Sequence, residues 1–165
     1  MAVNYTLTAA TQTLTVSDNF DNGETCVIGG KTYTFQDTLT NSDGNVHIGS
    51  DTTGDMQNLL AAINLTDGGE SSTSAGTDYA AAMTIHPDVK ATAVTATTLV
   101  ITCKTPGTAG NFINTTETGN EHAWGAATMA GGAGDVTGWA ESLISLSQIN
   151  SEVLSDLHAI TVTVD

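Results

Sequence analysis

The sequence predicts an α+β fold that is mainly β: an antiparallel or mixed sheet packed by one amphipathic helix (about 54–64), plus a C-terminal helix (about 139–158) and a terminal strand. Three observations predict it. Several short runs alternate apolar and polar residues with the period of two that turns one face of a strand inward. Threonine is the most used residue, and β-branched side chains pack well on a pleated surface. Between Gly29 and Asn64, GGKTYTFQDTLTNSDGNVHIGSDTTGDMQNLLAAIN, a strand pattern gives way to one stripe with helical spacing. At 165 residues the chain is long enough for one domain with a sizeable core.

Along the chain, Tyr5–Thr8 and Thr13–Val16 alternate as half-buried strands do, and either the first ~16 residues join the sheet or they form an arm. The segment SDNFDNGE (17–24) is a turn rich in Asp, Asn and Gly. Cys26-Val27-Ile28, Gly29-Gly30 and Lys31 to Phe35 then read as a hairpin, with Gly supplying the positive φ of a tight turn. Tyr33 and Phe35 share a face and are core candidates. Met56, Leu59, Leu60 and Ile63 lie at i, i+3, i+4, i+7, which makes the helix. Thr52 or Thr53 is its expected cap, Asp55 sits where the helix dipole favours negative charge, and Asn64 followed by TDGG ends it.

A polar loop (66–76) follows, then a short helical turn at Tyr79–Met83 that stops before Pro87. Val89–Val94 and Leu99–Cys103 read as strands, the second with Leu99, Ile101 and Cys103 on one face. KTPGTAGN (104–111) is a turn, residues 114–123 are a polar loop, and Ala127–Met129 is a last short strand. The expected organisation is a β-rich domain at 1–132, a Gly-rich linker at 133–138 and an assembly element at 139–165.

That last element differs in kind. Trp139, Leu143, Leu146, Asn150, Val153, Leu157 and Ile160 are spaced 4, 3, 4, 3, 4, 3, a heptad seam with a polar residue inside it. Ile144, Ile149 and Leu154 lie off the seam, and the charges are acidic. A self-associating helix, with a trimer as one form of homo-oligomer, and a helix docked on its own domain or another protein both remain open. The final Ile160–Val164 alternates as a strand able to add to a neighbour.

Eighteen acidic residues against three lysines and no arginine give a net charge of −15. Such a surface repels phosphates, which argues against nucleic acid and anionic membranes as partners. It suits a solvent-facing protein or a basic protein partner. No signal peptide is visible in MAVNYTLTAA and no apolar run reaches ~18 residues. Cys26 and Cys103, in apolar runs, read as buried free thiols.

Chemistry is sparsely signalled. His47, His86, His122 and His158 lack ligand spacing, and no nucleophile-elbow, zinc-protease or phosphate-loop motif occurs. The acidic loop at 18–24 puts Phe20 where a calcium-binding helix–loop–helix needs a ligand. Asp43, Asp51 and Asp55 read as turn carboxylates. Paired carboxylates for glycoside hydrolysis would need aromatics to hold the sugar, and these are few. The expectation is a non-enzyme without cofactor or metal.

Gly29-Gly30-Lys31-Thr32-Tyr33-Thr34-Phe35, then Asn58-Leu59 with Ile63-Asn64, then Lys104 to Asn111 (KTPGTAGN) together resemble a small β-rich domain of tailed-bacteriophage virion proteins. The match spans about residues 23–132, with Cys103 where the pattern more often has Ala. The resemblance implies a structural role in the virion after assembly in the host cytoplasm. A capsid decoration (cement) or head-fibre protein, with the major capsid protein as partner, leads. A tail or baseplate component is second, and a receptor- or glycan-binding adhesin module is the reading from another class. The tail from Trp139 lies outside the resemblance.

Overall fold

In the computed structural model, residues 6–134 are described. The expected C-terminal helix and strand, linker residues 135–138, and all seven seam residues (Trp139, Leu143, Leu146, Asn150, Val153, Leu157 and Ile160) lie outside them.

The described chain is mainly β with one α-helix. Its elements are β1 (Thr11–Val16), β2 (Thr25–Ile28), β3 (Lys31–Gln36), β4 (Asn45–His47), α1 (Thr52–Asn64), β5 (Val89–Val94), β6 (Thr98–Cys103), a 3-10 turn at Thr108–Phe112, β7 (Thr115–Glu117) and β8 (His122–Trp124). Two four-stranded sheets replace the single expected sheet. One runs β5-β6-β1-β8 and the other β4-β3-β2-β7. Every strand pairing is antiparallel except β3 with β4.

Alternation explains the core. Gln12, Leu14 and Val16 of β1, Cys26 and Ile28 of β2, Tyr33 and Phe35 of β3, and Leu99, Ile101 and Cys103 of β6 all point inward. With Met56, Leu59 and Ile63 of α1, the apolar members form one cluster. Leu60, the fourth residue of the helical stripe, is packed against this cluster but only partly buried. The two cysteines are buried free thiols.

Several local expectations are corrected. The helix cap is Asp51, whose Oδ1 accepts the Gly54 N–H at 2.9 Å, rather than Thr52 or Thr53. Asp is as good an N-cap as Ser and better than Thr. Leu65 ends the helix in the left-handed region, with φ 54°, and donates its N–H to Ala61 O. Tyr79–Met83 is a turn without a helix, with Tyr79 bridged to Val46 and Ala75. Residues 114–123, expected as loop, contain β7 and the start of β8, and Ala127–Met129 makes only an isolated bridge between Thr128 and Asn114. The question of an N-terminal arm is resolved from Thr11 onwards, because β1 sits between β6 and β8. The Gly-rich run at 131–134 is tied back, with Thr8 and Ala133 exchanging both backbone hydrogen bonds.

The helix joins the two sheets through their edge strands. Asn58 Nδ2 donates to His47 O of β4 at 3.1 Å. One and a half turns later, Asn64 accepts from Ala91 N and donates to Ala91 O of β5, both at 3.0 Å. β4 and β5 are each an edge strand, so these side chains occupy backbone groups that would otherwise be open to another strand.

Candidate functional site

Charged and polar side chains gather at one end of the sheets, where the turn before β2 meets the start of β8. Glu24 precedes β2, and its backbone carbonyl accepts from Phe35 N. His122 opens β8, opposite Val16 of β1. These ladders bring His122 Nε2 to 2.9 Å from Glu24 Oε2. The same Glu24 oxygen accepts the Asp21 N–H at 2.7 Å. Glu121, next to His122 and exposed, accepts the Asn120 N–H through Oε2. Donor atoms of Glu24, Glu121 and His122 all lie within 4.8 Å of one another. The imidazole is stacked on Phe20 with centroids 3.6 Å apart, and Phe20 is stacked in turn on Phe35 at 3.7 Å.

Sequence reasoning missed this grouping. Glu24 and His122 are 98 residues apart, and no local spacing signals a pair that only strand register creates. The acidic loop was a partial signal: it is not a calcium loop, but its last residue, Glu24, is one of the three donors.

The carboxylates expected as solvated turn residues have separate structural uses. Asp55 is fully buried and accepts from Gly49 N at 2.7 Å and Phe20 N at 2.9 Å. Burial pushes its carboxyl up from the ordinary range, partly offset by those two N–H donors. Asp51 caps α1. Asp43 meets Lys31 Nζ at 2.9 Å and also accepts from Thr84 N and Oγ1. Burial raises the Asp43 carboxyl, but the hydrogen bonds from Lys31 and Thr84 prevail and hold it at about 2.

His86 is likewise committed to structure. His86 Nε2 donates to Ile28 O at 3.1 Å, while Nδ1 accepts from Asp88 N and Val89 N. Those contacts select the neutral ring, and burial lowers its pKa further. Burial pushes the Cys26 thiol well up, with Glu117 and Glu24 reinforcing the shift, so it is a poor nucleophile. Surface hollows are shallow. One of about 340 Å³ is lined by Thr115, Thr116, Glu117 and Trp124, and Trp124 Nε1 is already bonded to Thr116 O.

No family model, curated protein or solved structure matches the chain. The residues that carry the phage resemblance have structural uses in this fold. Each motif asparagine binds backbone with both ends of its amide. Asn58 adds an acceptor bond from Glu70 N at 2.7 Å to its bond with His47. Asn64 holds Ala91. Asn111, in KTPGTAGN, donates to Gly132 O at 2.9 Å and accepts from Gly132 N at 2.8 Å. Gly29 makes the hairpin turn with φ 56°. At Gly110, a Cβ would press on Ala10 and Cys103, both at 2.9 Å.

Proposed function

We propose that this chain is a non-enzymatic structural protein of a tailed-phage virion, sited on the outer head surface as a decoration or head-fibre protein. One observation supports this reading above the others: the three resembling motifs are fold-building parts, with Asn58, Asn64 and Asn111 clamping backbone to backbone. A motif set of that kind labels how a domain is constructed. The charge of −15 adds to the reading, since strong self-repulsion keeps free copies apart until a complementary partner, here the major capsid protein, binds them.

The test is binding to purified empty capsids. Saturable, stoichiometric binding with a raised capsid melting temperature is expected. Binding to tails or baseplates instead would move the protein to that part of the particle. Binding of the isolated protein to host cells, with inhibition of infection, would replace the reading with an adhesin.

A further inference from the structure

We propose that Glu24, Glu121 and His122 form a binding site for one divalent transition-metal ion of the zinc type, which clips the two sheets together. The inference is independent of the place of the protein in a particle.

The donor set comes first. Two carboxylates and an imidazole, with donor atoms within 4.8 Å of one another, suit zinc and its neighbours better than calcium or magnesium, which prefer oxygen alone. Ligand atoms about 2.1 Å from a tetrahedral metal stand roughly 3.4 Å apart, so the 2.9 Å hydrogen bond between His122 Nε2 and Glu24 Oε2 has to open to admit the ion. Glu121 is exposed and can adjust by a rotamer change. Three protein donors leave a coordination position for water, the usual arrangement at an open site.

Charge balance comes second. Among the described residues the ion pairs are Lys31–Asp43 and His122–Glu24, so lysine supplies nothing to this group. Two carboxylates face a single imidazole that carries charge only when protonated. A divalent ion in place of the proton on Nε2 neutralises both carboxylates.

Burial and backbone supply independent support. The His122 side chain is wholly buried, and among the described residues its Nδ1 has no hydrogen-bond partner. Here the only polar contact of the ring faces the carboxylates. Gly119, at φ 99°, passes so close that any Cβ would collide with Glu24 Oε1 and lie 3.0 Å from His122 Cδ2. The loop before β8 is thus closed over the pair, and glycine is required there. The bare Nδ1 also sets a limit. Metal-bound imidazoles usually donate this N–H to an acceptor, and lacking one costs roughly 10–100-fold in affinity.

Zinc chloride titrated into the full-length protein by calorimetry, with parallel thermal melts, tests the site. The expected result is one equivalent bound and a melting temperature that rises with zinc but not with magnesium. Glu121→Gln keeps the Asn120 contact and should leave the zinc-free melting temperature unchanged, yet weaken zinc binding by roughly tenfold or more. Glu24→Gln should weaken it as well. No saturable zinc binding, or binding that both variants leave unchanged, would overturn the proposal, the latter by showing that zinc sits on other histidines.

Discussion

Asn64, the last residue of α1, holds both backbone groups of Ala91 on the edge strand β5, accepting from its N–H and donating to its C=O at 3.0 Å each. The amide side chain thereby acts as a short piece of neighbouring strand. Replacing it by Ala would leave two strand groups unpartnered, at a cost of about 2–3 kcal/mol. Urea unfolding of Asn64→Ala should show a lower midpoint with an unchanged slope. The freed edge should also make the variant more prone to aggregate on storage. A midpoint equal to that of the parent chain would show that water replaces the amide at no cost.

Asp55 makes a comparable junction between α1 and two loops, through Phe20 N and Gly49 N. Asp55→Ala should lose about 2–4 kcal/mol, since two N–H groups lose a common acceptor. Asp55→Asn retains only one acceptor oxygen and should fall between the two proteins. Equal stability of all three in urea would contradict the geometry.

Tyr33 offers the opposite sign. Its ring is fully buried, and among the described residues its hydroxyl has no hydrogen-bond partner. Tyr33→Phe should leave stability unchanged or raise it by up to about 1 kcal/mol, because an unpaired polar atom is removed from the interior. A loss of more than about 1 kcal/mol would mean that the hydroxyl is bonded, for example to an ordered water.

His86 gives a pH dependence whose sign is fixed by its contacts. Its folded pKa is lowered from 6.5, so the unfolded chain takes up a proton more readily than the folded one. Its contribution is fully present above about 6.5 and is lost as pH falls through that value towards the folded pKa. NMR titration should find the His86 ring still neutral at a pH where a histidine in the urea-unfolded chain is already charged. Titration at the unfolded value would contradict the buried, triply bonded ring.

How much of this was legible in the sequence follows from how local each signal was. The β2–β3 hairpin, β5, β6 and the Met56–Leu59–Ile63 stripe are set by neighbouring residues, and alternation or helical spacing exposed them. β7 and β8 are three residues each and mostly polar at the start. They become strands by pairing with β2 and β1, which no window of sequence reveals. The division into two sheets was hidden for the same reason, as was Asn58 and Asn64 reaching one edge strand of each. Asp55 was read as a dipole residue because its partners, Phe20 and Gly49, come from other loops. The Glu24–His122 pair is the extreme case, since strand register alone creates it.

The central claim is membership of the virion. Mass spectrometry of purified, density-banded phage particles from cells that make this chain tests that proposal most directly. The account predicts the protein in intact particles, in many copies relative to a minor tail protein, and enriched with heads after heads and tails are separated. Its absence from washed particles, with the protein present in infected cells, would contradict the account.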